Sequence, residues 1–148
     1  MSQPKTAPPF AELIAGCERS AVHLETRDVY GVPEEDADFC AFLAGQRCDQ
    51  ADRGSWWNDF HSTIADAVGR GVSVRRMRVV SEPVTDYIRF EYADLWIFDD
   101  RLVRYSIFSG GGAFVEDLLD DDPATVKSYA EACELIWKRA TPHDEFTV

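Results

Sequence analysis

Two short apolar runs, Leu95-Trp96-Ile97-Phe98 and residues 102–108, stand on either side of Asp99-Asp100-Arg101. Aromatic and aliphatic runs broken by so brief a polar stretch predict a β-hairpin. A chain that commits to a hairpin here must extend it into a sheet and cover that sheet. Further strands are legible nearby. Val72-Ser73-Val74-Arg75-Arg76-Met77-Arg78-Val79-Val80 follows Gly71 and stops at Ser81-Glu82-Pro83, which predicts an internal strand. Residues 21–27 alternate, with Val22 and Leu24 on one side and His23, Glu25 and Arg27 on the other, as a half-exposed strand does. After the turn at Gly110-Gly111-Gly112, Ala113-Phe114-Val115 adds one more short strand.

The cover comes from helices. Phe10, Leu13, Ile14, Cys17 and Ala21 fall on one helical face. Pro33, followed by Glu34, Glu35, Asp36 and Asp38, opens a second helix running to about Ala44. Ser55 is placed to cap a third, with its stripe at Trp57, Phe60, Ile64, Ala67 and Val68 ended by Gly69 and Gly71. Asp122 and Pro123 start a last one, whose inward face is Val126, Tyr129, Ala130, Cys133, Ile136, Trp137 and Ala140 and which Pro142 ends. The expected architecture is α+β: a small sheet, mostly antiparallel or mixed, packed against three to four helices. The polar, proline-bearing residues 1–8 read as a flexible leader, and residues 9–148 as a single globular domain.

Charge narrows the function. Fifteen basic against 27 acidic residues leave a net of −12, which opposes attraction to phosphate backbones and anionic membranes. Direct nucleic-acid binding is therefore disfavoured. No apolar stretch approaches a membrane span and no signal-peptide core is visible, so the expected location is cytoplasmic. The four cysteines form no C-x-x-C pair, and Cys17, Cys40 and Cys133 sit inside apolar patterns as reduced packing residues. The three histidines, His23, His61 and His143, lack metal-ligand spacing. No G-x-S-x-G, P-loop or G-x-G-x-x-G occurs, so neither a metal nor a cofactor is expected. The acidic run Glu116-Asp117 and Asp120-Asp121-Asp122 is explained by helix capping and solubility.

Arg70, Arg75, Arg76 and Arg78 form the one locally basic spot. Strand alternation puts Arg76 and Arg78 on the face of Val72, Val74 and Val80, beside the core, where guanidinium groups need carboxylates or an anionic ligand. Glu25, Glu82, Glu91 and Asp99 are the candidate carboxylates, and an ion-pair network weighs more than an anion pocket. Read as a strand, Asp86-Tyr87-Ile88-Arg89-Phe90-Glu91 projects Tyr87, Arg89 and Glu91 together, which with Arg76 and Arg78 would line a polar cleft. His23 and Glu25, two residues apart on one strand face, are close enough for an acid-base pair, though no other residue assembles around them in the sequence.

The stretches Ser20-Ala21-Val22-His23-Leu24-Glu25-Thr26-Arg27-Asp28, Phe42-Leu43-Ala44-Gly45, residues 70–83, Asp86-Tyr87-Ile88-Arg89-Phe90-Glu91 and Leu95-Trp96-Ile97-Phe98-Asp99-Asp100 resemble an actinobacterial family classed as a domain of unknown function. The likeness runs over residues 10–142. It implies no activity; members are often encoded beside helix-turn-helix regulators, which implies a place in a regulatory module. The chain departs from the family in one respect. Only Tyr92, Ala93 and Asp94 separate the two last-named stretches, where members carry a longer segment.

Two functional expectations follow. One is a non-catalytic binding or regulatory module that contacts a helix-turn-helix regulator or another basic protein, or senses an anionic small molecule, through Arg76, Arg78, Tyr87, Arg89 and Glu91. The alternative is a small enzyme acting on an anionic substrate through an arginine-lined pocket, with Glu25, His23 or Glu91 as acid-base group.

Overall fold

A computed structural model describes residues 4–26, 55–78 and 94–147. Their order is β1 (Lys5–Thr6), α1 (Phe10–Ala15), β2 (Ser20–Glu25), α2 (Ser55–Gly69), β3 (Ser73–Arg78), β4 (Asp94–Phe98), β5 (Leu102–Phe108), β6 (Phe114–Asp120) and α3 (Pro123–Arg139), followed by a 3-10 turn at His143–Glu145. The strands form one mixed sheet in the order β1-β6-β5-β4-β2-β3. Only the β2/β3 pair is parallel; the other pairs are antiparallel. This is the α+β architecture expected from the sequence. The helix expected at residues 33–44 lies outside the described residues.

Each face of the sheet carries its own core, because strand side chains alternate. Leu24, Met77, Leu95, Ile97, Val103 and Tyr105 pack beneath Val126 and Cys133 of α3. On the opposite face, Ala21, Trp96 and Phe98 meet Ile14 and Cys17 at α1 and Ala67 of α2, with Phe10, Phe60, Ile64 and Val74 packed around them. The last helix starts as its sequence predicts, with Pro123 in the first turn and the Asp122 carboxylate accepting from Thr125 N at 3.0 Å.

Several boundaries differ from the sequence reading. The first helix stops at Ala15, and Cys17 leaves it to enter the core. Lys5–Thr6, inside the stretch expected as a leader, pair with Leu119 and Leu118 of β6. Strand β6 runs seven residues through Asp120, so the acidic residues Glu116 and Asp117 lie in a strand rather than at a helix cap. Val68 and Trp137, placed on inward stripes by periodicity, are 54% and 40% exposed. Cys17 and Cys133 are free and buried, as packing residues should be.

The hairpin turn explains a buried aspartate. Asp99 and Asp100 occupy the left-handed region, with φ of 53° and 54°, where aspartate is among the few tolerated side chains. That conformation turns the Asp99 carboxylate back toward the start of β2. There it accepts from the backbone N–H groups of Glu18 (2.9 Å), Arg19 (2.6 Å) and Ser20 (2.9 Å), and from Cys17 Sγ at 3.3 Å. Burial alone would raise its pKa, but the donors from Glu18, Ser20 and Arg19 outweigh burial and hold the carboxyl well below the usual range.

Candidate functional site

The strand registers place two rows of side chains across the face that carries α1 and α2. One row is Arg76, His23, Trp96, Arg104 and Leu119, taken from β3, β2, β4, β5 and β6 in turn. The adjacent row, two residues along each strand, is Arg78, Glu25, Asp94, Ser106 and Asp117. A line of polar residues across five strands is not what a sheet packed only for stability would carry, since buried charge is costly unless paired.

His23 is the centre of the group. The residue is 9% exposed, its ring stacks on Trp96 at 4.3 Å and 11°, and Nε2 lies 2.9 Å from Asp94 Oδ1. Glu25 Oε1 is 3.9 Å from the same nitrogen. Arg76 Nη2 donates to both oxygens of Glu25, at 3.0 and 2.9 Å, from a side chain that is itself 62% exposed. Burial raises the Asp94 pKa and the Glu25 charge adds to this, while the hydrogen bond and charge of His23 oppose both. The group therefore joins an oriented imidazole to two carboxylates in a largely dehydrated setting, the composition of an acid-base centre.

A second ion pair lies beside the first. Arg104 pairs with Asp117, whose other oxygen accepts from Ser106 Oγ at 2.7 Å. The Arg104 guanidinium stands 5.6 Å from the Phe10 ring. Burial lowers its pKa, and the charges of Asp117 and Asp94 oppose that shift without cancelling it.

The structure redistributes the arginines that are neighbours in sequence. Arg76 and Arg78 do share a face with Val74, but on the outermost strand among the described residues, and both are exposed. Arg75 points to the other face, where it pairs with Glu134 at 3.0 Å and stacks over Trp137 at 4.8 Å, beside a groove of about 280 Å³ that also includes Met77, Asp100 and Cys133. Arg70 Nη2 donates to the carbonyls of Ile14 (3.0 Å) and Cys17 (3.3 Å), closing the end of α1. Of the candidate partners, Glu25 pairs with Arg76 as expected, whereas Asp99 serves the β2 amides. Tyr87, Arg89 and Glu91 lie outside the described residues.

Asp94, Trp96 and Arg104 were not legible as site residues, because only the β2/β4/β5 register brings them to His23. The same register alters the expectation of no metal. Ligand atoms of His23, Glu25 and Asp94 lie within 4.8 Å of one another, near enough for small side-chain shifts to gather them around a divalent ion. Histidine spacing alone could not show this, since one donor comes from another strand.

The family profile described as a domain of unknown function (DUF6879) matches residues 8–93 and 91–148, two segments that meet at the short connection before β4. The chain belongs to this family. No curated protein matches the sequence. Among solved structures, the DUF6879 chain is similar to TrmBL2, an archaeal chromatin protein whose structure is described as showing a novel mode of DNA binding, with 12% identity and a TM-score of 0.47. The alignment covers 88% of this chain and 47% of TrmBL2, so the chain spans about half the length of that protein. It is also similar to Nuc from Salmonella typhimurium, a phospholipase D family member, with 11% identity, a TM-score of 0.47, and coverage of 88% and 86%. Likeness at that level decides nothing about the DUF6879 site. Among the described residues, no helix is long and apolar enough to cross a membrane.

Proposed function

We propose that this DUF6879 protein is a small enzyme acting on an anionic substrate, with His23 as its acid-base group. The observation that carries the reading is the clamp on His23. A carboxylate at 2.9 Å and a stacked indole fix the ring, a second carboxylate stands 3.9 Å away, and arginines flank the pair on both sides of the row. Asp94 orients the imidazole, which places His23 to deliver or take a proton as a substrate reacts. Arg76 holds Glu25 in place. The expected setting is a single globular domain in the cytoplasm.

The test is a turnover screen of the full-length protein against phosphate and carboxylate esters, alongside His23→Gln and Asp94→Asn. Loss of activity in His23→Gln with an unchanged melting transition supports the reading. Full activity in that variant removes His23 from the chemistry. An anion that binds the wild type without being converted points instead to a sensing module.

A further inference from the structure

The sequence directs attention to Arg76 and Arg78 as the anion-holding residues, but the geometry favours a different arginine. Arg76 is engaged by Glu25 and 62% exposed, and an exposed guanidinium competes with water for every contact it makes. Arg104 is partly buried, with a side chain 14% exposed, and lies directly across from Trp96, the residue on which His23 stacks. Its Nη2 is taken by Asp117. Its Nε is buried and has no hydrogen-bond partner among the described residues. A guanidinium N–H left without an acceptor in a buried position is unusual in a folded protein, and where one occurs beside a reactive group a missing ligand oxygen is a specific explanation.

We infer that Arg104 is the anion-binding residue of this site, its Nε–H donating to an oxyanion, phosphate or carboxylate, of the substrate. The inference rests on the reading of His23 as the reacting group, and it names the part of the substrate that the site must recognise. His23 and Arg104 are separated by one strand, so their backbones lie about 10 Å apart at ordinary strand spacing. An anionic group at Arg104 and a reacting bond near His23 therefore belong to one small molecule lying along the polar row. Ser106 and Asp117 define the far end of that row. Asp117 has two effects there: it keeps Arg104 ordered, and its charge opposes an incoming anion.

That second effect supplies a decisive test. Inorganic phosphate and acetate are titrated into the full-length protein by calorimetry, in parallel with Arg104→Lys, Asp117→Asn and Arg76→Ala. The expected result is saturable binding of one or both anions by the wild type, loss in Arg104→Lys, weaker but still saturable binding in Arg76→Ala, which frees the Glu25 carboxylate, and an affinity raised about tenfold in Asp117→Asn, where the competing carboxylate is gone. Which anion binds distinguishes a phosphoryl from a carboxylate substrate. If Arg104→Lys fails to fold, the Asp117→Asn variant decides: tighter binding supports the subsite and unchanged binding overturns it. Binding that disappears in Arg76→Ala and survives in Arg104→Lys moves the anion to the sheet edge and overturns it too. No saturable binding in either the wild type or Asp117→Asn leaves Nε to a water molecule and ends the proposal. Arg104-dependent binding without turnover would instead refute the enzyme reading alone.

Discussion

Replacing Asp99 with alanine should be among the most damaging changes available in the described part of this chain, although Asp99 lies well away from His23. Three backbone N–H groups, those of Glu18, Arg19 and Ser20, lose their acceptor at once. Glu18 and Arg19 are exposed residues, so water recovers part of the loss, and about 1 kcal/mol for each orphaned donor gives about 3 kcal/mol. Alanine at a φ of 53° adds about 1 kcal/mol of backbone strain. A total of about 4 kcal/mol is a large share of the 5–15 kcal/mol that stabilises a typical domain, and corresponds to a fall in Tm of roughly 8–16 °C. Urea denaturation followed by circular dichroism measures it, with Asp99→Gly and Asp99→Asn as controls. Glycine relieves the strain without restoring an acceptor and should recover only about 1 kcal/mol. Asparagine keeps one oxygen and tolerates the conformation, so it should cost about half as much as alanine. The acid limb gives an independent readout. Because the folded state holds this carboxyl below its ordinary range, its contribution is fully present above about pH 4 and is lost as pH falls through the folded value. Asp99→Asn should therefore flatten the loss of stability below pH 4. An alanine variant within 1 kcal/mol of wild type, with an unaltered acid limb, would refute the assignment of Asp99 as the acceptor that ties the hairpin to β2.

Other outcomes can be checked more briefly. Arg70→Ala should remove the donors that close α1 and lower stability by about 1 kcal/mol in the same denaturation assay, with Arg70→Lys recovering part of it; an unchanged midpoint would show that the carbonyls of Ile14 and Cys17 need no side-chain donor. Burial pushes the Cys133 thiol up to about 12, so its thiolate is scarce at pH 8 and site-resolved alkylation should reach it only after denaturant is added; rapid native labelling would contradict its place on the sheet-facing side of α3. Leu24→Ala empties a fully buried position between β2 and α3 and should cost about 2–5 kcal/mol by thermal melting, against well under 1 kcal/mol for the exposed Val115→Ala.

How much of this could be read in advance depended on how local each cause was. The hairpin at residues 95–108 and the start of α3 were legible because a run of apolar residues or a capping aspartate acts within a few positions. His23 and Glu25 were legible as a pair for the same reason, since residues two apart on a strand share a face whatever the strand packs against. The arginine cluster was misleading in its burial and not in its facing. Alternation puts Arg76 and Arg78 on one face as expected, but both are exposed, and Arg70 closes a helix end. Asp99, a candidate partner for the arginines of residues 70–78, instead sits in a left-handed turn that aims its carboxylate at backbone amides and at the neighbouring Arg101.

The amino-acid sequence by itself determined the mixed helix and strand character of the described segments, though not β1, the length of β6 or the exposure of Val68 and Trp137, because periodicity, capping and turn chemistry act over short distances. Only the tertiary structure decided what faces His23. Asp94 and Trp96 reach it from a strand some 70 positions away, and Arg104 from the strand beyond, through a register that hydrophobic packing on both faces of the sheet sets as a whole. A shift of one residue in that register would turn Asp94, Trp96 and Arg104 to the opposite face and leave His23 without a partner.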